Sequence, residues 1–221
     1  MDRLPHQNPQ HTLRLGAAMG APVPVVCLCG PSAAGKSVLA ERLRLGLLER
    51  QLPSLVIACD NYYRAGWDPH GPYGFDTPDA IDLECLRHEL GQARQRQATA
   101  LRHYDMGSRR VSQGPIRSDY AVILLEGAYG PQAIRQEVPL AALLYVETAL
   151  SARLLRKLRR DRRERGRSTR SVIQQALFQT LPGEQRFIKP LRQQADLVIR
   201  HPDRQLPALL QHLQDLLAPN A

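Results

Sequence analysis

Eight residues, Gly30-Pro31-Ser32-Ala33-Ala34-Gly35-Lys36-Ser37, constrain this 221-residue chain more than any other stretch. They fit Gly-x-x-x-x-Gly-Lys-[Ser/Thr], a pattern that carries meaning only where a strand runs into it and a helix leaves it. Both flanks comply. Val23 to Cys29 is an apolar run rich in valine, and Val38 to Leu52 repeats leucine at helical spacing. Backbone free of bulky Cβ atoms at Gly30 and Gly35 can wrap a polyphosphate with its N–H groups, with Ser32, Ala33, Ala34 and Val38 as the other contacts of the cradle. Lys36 brings a cation to the β- and γ-phosphates, and the Ser37 hydroxyl can ligate the accompanying Mg²⁺. The helix that starts near Lys36 adds its positive end. Only Lys36, Lys157 and Lys189 are lysines among 30 basic residues, which argues against a chance match at this position. The loop implies that the chain handles ATP or GTP.

With 43% hydrophobic residues the chain can bury a sizeable core, and its length suits one domain, expected over residues 23–218. The first 22 residues are rich in His, Gln, Pro and Gly and read as a tail. No run of about 18 apolar residues occurs, so no membrane span is expected and cytoplasmic residence follows. The four cysteines agree: Cys27 and Cys29 share a strand, Cys59 ends the next one and Cys85 sits on a helix, without a Cys-x-x-Cys pair. They read as small buried hydrophobes.

The formal charge is +9, and nearly all of the excess lies in one segment. Between Arg153 and Arg170 ten basic residues face only Asp161 and Glu164. Such a segment can bind a nucleic-acid backbone, or it can close over the phosphates of a small substrate.

Five apolar runs bounded by polar or turn residues read as buried strands: Val23 to Cys29, Leu55 to Cys59, Tyr120 to Leu125, Leu143 to Val146 and Asp196 to Ile199. Helical patterns over Val38 to Gln51, Leu83 to Arg94, Ala149 to Glu164, Thr169 to Thr180 and Leu206 to Leu217 separate most of them. This alternation predicts an α/β fold, a doubly wound parallel sheet of about five strands with helices on both faces. Ligands of such sheets gather at the carboxyl ends of the strands. There stand Asp60, which can accept a proton from an attacking hydroxyl or hold Mg²⁺, and Glu126, a carboxylate placed for Mg²⁺. A strand-terminal Asp is equally a common cap or turn residue. Glu147 is read as structural.

Several stretches together resemble the uridine kinase family, phosphate-loop kinases that pass the ATP γ-phosphate to the 5′-hydroxyl of uridine or cytidine. After the loop, Cys59-Asp60-Asn61-Tyr62-Tyr63-Arg64 resembles the segment holding that family's general base. Phe75-Asp76-Thr77-Pro78-Asp79-Ala80-Ile81-Asp82 is similar to its Phe-Asp-x-Pro-Asp-Ala-x-Asp string. Leu124-Leu125-Glu126-Gly127 resembles its acidic Mg²⁺ strand, and Arg160-Asp161-Arg162-Arg163-Glu164-Arg165-Gly166-Arg167 its arginine lid. Phe187-Ile188-Lys189-Pro190 and Ala195-Asp196-Leu197-Val198-Ile199 echo its C-terminal strand region, so the similarity spans about residues 23 to 201.

The resemblance implies a phosphate-loop kinase fold with an arginine-rich lid and roles for particular residues. Asp60 would be the general base, Asp76 the acceptor of ribose hydroxyl bonds, and Tyr63, Phe75 and Tyr104 the nucleoside pocket. Lys157, Arg160, Arg165 and Arg167 would close over the phosphates, with Gln175 near the sugar or base. Physics agrees, since charge spread over a transferring phosphoryl calls for mobile cations that exclude water. Arg153, Arg159 and Arg162 are assigned to the solvated face of their helix.

One tract departs from the family. Tyr104-Asp105-Met106-Gly107-Ser108-Arg109-Arg110 stands where the base-reading run Tyr-Asp-[Phe/Tyr]-x-x-His-Ser-Arg is expected, so its histidine and second aromatic are missing. Arg109 can offer donors to a carbonyl or a phosphate instead. His103 precedes Tyr104, but neighbours in extended chain point to opposite faces. The expectation is therefore an ATP- or GTP-dependent, Mg²⁺-requiring nucleoside kinase, with uridine or cytidine as leading acceptor. A phosphoribulokinase-like kinase of a sugar phosphate, or of another nucleoside, is the alternative. A nucleotide-binding protein that holds RNA or DNA on its basic helix is a third reading, disfavoured because only Tyr145 and Phe178 flank that helix. The expected partner is a small molecule, with neither membrane nor nucleic acid, and a homo-oligomer is compatible with the sequence.

Overall fold

The computed structural model describes residues 21–165 and 168–218, the side chains of 164 and 165 excepted. Five strands form a fully parallel sheet: β1 (Val25–Cys29), β2 (Ser54–Ala58), β5 (Val122–Gly127), β6 (Ala142–Val146) and β7 (Leu197–Ile199). Their order is β2-β5-β1-β6-β7. Each expected strand is present within a residue or two of its predicted ends. Central β1 is buried at all five positions, as a strand covered on both faces must be.

The pleat sorts alternate residues into two cores. Val25, Cys27, Cys29, Ile123, Leu125, Leu143 and Tyr145 face one way, against Leu86 and Leu90 of α2 (Leu83–Arg94) and Ile134 of α3 (Pro131–Glu137). Val26, Leu28, Val122, Leu124, Leu144 and Val146 face the other way. There they meet Leu39, Leu43 and Leu47 of α1 (Lys36–Glu49) and Leu209, Leu210 and Leu213 of α7 (Pro202–Leu217). The four cysteines are free thiols, three of them buried, as expected. Among the described residues no helix is long and apolar enough to cross a membrane.

Two features were not legible in advance. Ala100–Tyr104 (β3) and Val111–Pro115 (β4) form an antiparallel hairpin outside the main sheet, pairing Tyr104 with Val111. Strand β4, Val-Ser-Gln-Gly-Pro, has too little apolar content to announce itself. The second is the long helix expected to stop at Thr180. After α4 (Leu150–Arg165), α5 (Thr169–Gln175) runs through a π-helical turn at Ala176–Thr180 into α6 (Leu181–Gly183), and on through a second π-helical turn at Glu184–Ile188. Pro182 lacks an N–H and would clash with the carbonyl four residues back, which a wide turn before it relieves. So the proline that reads as a stop signal is absorbed.

Gly183 fixes where this helix lies. A Cβ built there would fall 2.2 Å from the Asp76 carbonyl oxygen and 3.0 Å from the Tyr129 hydroxyl. The first obstacle is backbone and cannot rotate away. Gly183→Ala is therefore expected to destabilise the fold by about 1–3 kcal/mol, the usual range for overpacking. Thermal unfolding of the variant reads this directly, and an unchanged melting temperature would refute the close approach.

Candidate active site

The carboxyl ends of β1, β2 and β5 open into one cavity of about 710 Å³. Ser32, Ala33, Gly35, Lys36, Ser37 and Val38 line one end, Asp60 and Glu126 its middle, and Tyr63, Phe75, Asp76, Tyr104 and Arg109 the other end. Arg156, Lys157, Arg160 and Gln175 cover it. Of the remaining predicted residues, Gly30 lies beneath the loop and Ala34 lines an adjoining cleft. Arg167 and the side chain of Arg165 lie outside the described residues.

Gly30 and Gly35 are needed for different reasons. Gly30 has φ +142°, and a Cβ there would sit 2.4 Å from the Val146 carbonyl, so β6 itself forbids a side chain. Gly35 has φ +99°, and a Cβ there would meet only the Arg156 guanidinium at an ordinary 3.8 Å, so its requirement is conformational. Lys36 starts α1 and its Nζ donates to the Pro31 carbonyl at 3.1 Å, folded across the loop it serves. The Ser37 hydroxyl donates to Glu126 Oε1 at 2.8 Å. Burial raises the Glu126 carboxyl above its ordinary range, an effect the Lys36 charge only partly offsets. Ser37 and Glu126 together present the hard oxygen donors that Mg²⁺ prefers, and Mg²⁺ commonly takes one or two carboxylates plus phosphates and water. The described residues contain no cluster of three or more His, Cys, Asp or Glu that would hold a metal alone.

Sequence reasoning missed the brace under the loop. Glu184 Oε1 accepts the Ser32 N–H at 2.9 Å, and both of its oxygens accept from Arg153 at 2.8 and 2.9 Å. Arg153 also donates to the Ser32 carbonyl at 3.2 Å. Both backbone groups of one loop residue are thus held by a buried ion pair. Arg153 does not belong to the solvated face to which its spacing assigns it. Nothing local distinguishes Glu184 from any other helical glutamate, so the signal lies only in the fold.

At the other end, Asp76 is buried and accepts from Thr180 Oγ1 at 2.8 Å and Gln175 Nε2 at 3.3 Å. Burial raises its carboxyl, opposed chiefly by the Lys157 charge. Tyr63 stands edge-on to Phe75 and tilted against Tyr104, both with centroids 6.0 Å apart. Asp60 is exposed to the cavity from the short 3₁₀ turn Cys59–Tyr62 that follows β2. Arg102 pins that turn: it donates to the carbonyls of Asn61 at 3.2 Å and Tyr63 at 2.8 Å, and pairs with Asp82 at 3.3 Å. Arg102 reaches them from the hairpin, which explains why an unpredicted hairpin matters here. His103 faces solvent while Tyr104 is buried, as the alternation requires.

At the hairpin tip, Arg109 adopts φ +57° and lays its guanidinium 4.8 Å from the centre of the Phe75 ring. On the cover, Arg160 bonds Asp161 at 3.1 Å and Lys157 stands 3.6 Å from the same carboxylate. Glu147 pairs with Arg192 and Arg200 at the far edge, in agreement with its structural reading.

A family model, phosphoribulokinase / uridine kinase, matches residues 25–207. The chain belongs to that family. A uridine kinase from Borrelia duttonii is 29% identical over 204 residues, covering 88% of this chain and 96% of the relative. One from Lactobacillus helveticus is 30% identical over 182 residues, 79% and 85% of the two chains. Among solved structures, a candidate fructose transport system kinase from Silicibacter sp. TM1040 superposes with TM-score 0.65 at 18% identity, covering 87% and 92% of the two chains. The phosphoribulokinase of Rhodobacter spheroides does so with TM-score 0.56 at 16% identity, covering 80% and 70%. These structures share the phosphate-loop kinase fold. The chain is a phosphotransferase that acts on a hydroxyl group.

The raised Glu126 carboxyl has a stability consequence. While protonated at low pH it carries no desolvation penalty, and that advantage is lost as pH rises through its raised value. Glu126→Gln is therefore expected to melt higher than wild type at neutral pH, with the gap closing on acidification. Melting curves across pH 4–8 check the sign, and a lower melting temperature at neutral pH would contradict it.

Proposed function

We propose that the chain transfers the γ-phosphate of ATP or GTP to the 5′-hydroxyl of a nucleoside, with uridine or cytidine as leading acceptor. The observation that carries this reading is that Asp60 and Asp76 share one cavity with Lys36 and Ser37. The cavity therefore holds a proton acceptor, a buried carboxylate suited to sugar hydroxyls, and a phosphate cradle. Residues 23–218 act as one catalytic domain in this account.

In the reaction, the phosphate loop and Lys36 hold the donor polyphosphate and Asp60 accepts the proton of the attacking hydroxyl. Mg²⁺, held by Ser37 and Glu126 with Asp60 nearby, would neutralise charge on the phosphates. The aromatic wall of Tyr63, Phe75 and Tyr104 offers a flat apolar surface to the base. Arg156, Lys157 and Arg160 shield the transferring phosphoryl from water, while the phosphate roles expected of Arg165 and Arg167 fall outside the described residues. An adjoining cleft of about 630 Å³, lined by Arg42, Arg156, Arg200, His201 and Arg204, would take the nucleoside part of the donor.

One observation favours a phosphorylated sugar as acceptor. The Arg109 guanidinium rims the acceptor end, and among the described residues no carboxylate pairs with it. The nucleic-acid reading loses ground, because Arg153 is engaged with Glu184 and Arg156, Lys157 and Arg160 line the cavity, leaving Arg159, Arg162 and Arg163 to solvent.

Asp60→Asn tests the assignment. It is expected to lower turnover by about 10²–10⁴, the range for loss of a general base, while ATP affinity stays within about twofold of wild type. Turnover within tenfold of wild type on the best acceptor would remove Asp60 from the chemistry. Assaying wild type on uridine, cytidine, other nucleosides and ribulose phosphate settles the acceptor, and Arg109→Ala lowers turnover selectively on the phosphorylated one if that is the substrate.

A further inference from the structure

Asp60, the residue proposed to take the proton, forms no side-chain hydrogen bond of its own among the described residues, and it stands exposed in the cavity. Its position is therefore set by the 3₁₀ turn Cys59–Tyr62 that carries it. One buried carboxylate outside the cavity holds that turn. Glu89, on the inward face of α2, is 7% exposed, and its two oxygens receive four donors. Oε2 accepts from the Tyr62 hydroxyl at 2.7 Å and from the Arg102 backbone N–H at 2.8 Å. Oε1 accepts from Gln113 Nε2 at 3.3 Å and from the Cys85 thiol at 3.7 Å.

These donors tie separate elements together. Tyr62 ends the Asp60 turn, while Arg102 and Gln113 are paired residues on the two strands of the hairpin. Burial and the bond to Glu89 raise the Tyr62 hydroxyl, so it stays a donor. The Arg102 N–H matters most, because the side chain of the same residue grips the Asn61 and Tyr63 carbonyls on either side of Tyr62. The turn is thus held at its side chain by Glu89 and at its backbone by a residue that Glu89 also holds. From there the hairpin runs on to Tyr104, Gly107 and Arg109, which line the acceptor end. A carboxylate only accepts and can meet every one of these donors, whereas an amide must turn its N–H₂ toward one pair of them.

We infer that Glu89 is a positioning residue for phosphoryl transfer: it fixes the Asp60 turn and the hairpin to one point, and so sets the proton acceptor against the acceptor pocket. It touches neither substrate nor reacting atoms. A misplacement of about 1 Å at the reacting centre can cost about a hundredfold in rate, so a network behind the cavity can govern turnover without contacting it. This rests on the kinase reading above, with Asp60 as the proton acceptor.

The test is a double-mutant cycle in kcat between Glu89→Gln and Asp60→Asn, repeated with Tyr62→Phe as a milder first member. All variants are assayed below their melting temperatures on the best acceptor of wild type. Glu89→Gln is expected to lower kcat about ten- to hundredfold and Tyr62→Phe about three- to tenfold, with KM for ATP within about twofold of wild type. In the Asp60→Asn background the same changes are expected to cost less than about twofold, because the group they misplace is already gone. Losses that multiply with that of Asp60→Asn would give Glu89 a merely structural role and overturn the inference. Unchanged kcat in both single variants, or a KM for ATP that rises as steeply as kcat falls, would overturn it too. If Glu89→Gln does not fold, the Tyr62→Phe cycle decides by the same criteria. A wild type without turnover on any acceptor, or Asp60→Asn turnover within about tenfold of wild type, overturns the underlying reading and this inference with it.

Discussion

The buried pair Arg153–Glu184 is the contact on which the rest of the site depends. Through it the phosphate loop, α4 and the long helix that begins at α5 meet at one residue, Ser32, whose N–H and carbonyl are both engaged. An ion pair removed from water stabilises little unless its remaining hydrogen bonds are satisfied, and here the loop backbone supplies them. Its contribution is geometric more than energetic. It holds one stretch of chain to the register in which a polyphosphate can be cradled.

The same helix carries Thr180, one turn before Glu184, to Asp76 at the acceptor end. One helical turn, from Thr180 to Glu184, therefore links the group that orients the Asp76 carboxylate to the group that braces the phosphate loop. Gly183, between them, lets the helix approach the Asp76 backbone. The phosphate loop and the Asp76 end of the cavity are thus tied to one helical element, while Arg102 ties the Asp60 turn to the hairpin. The site is a set of strand-end carboxylates whose positions are fixed from outside the sheet.

Much of this was legible in the sequence where chemistry is local. Gly30 to Ser37 announces itself because a phosphate cradle needs those residue types in succession, and the valine-rich run before it has to be a strand. Asp60 and Glu126 could be picked out because an acid at the end of an apolar strand is conspicuous, and Asp76 because the string around it resembles that of the family. Arg153 and Glu184 could not. Each belongs to an unremarkable local pattern, a basic helix and a helix interrupted by Pro182, and each gains its meaning from partners far along the chain. The hairpin escaped for a related reason: Val-Ser-Gln-Gly-Pro is held as a strand by pairing with Ala100–Tyr104 and not by its own propensity.

The central claim is that a nucleoside acceptor and the phosphate donor occupy one continuous cavity from Ser37 past Asp60 to Asp76. A bisubstrate compound, adenosine joined to uridine through five phosphates between the 5′-hydroxyls, addresses both ends at once. Its calorimetric titration in the presence of Mg²⁺ is the most direct measurement. The account predicts one compound bound per chain, at least about 100-fold tighter than ATP, because the second half binds at high effective concentration. An affinity no better than that of ATP, unaffected by Asp76→Asn, would contradict it.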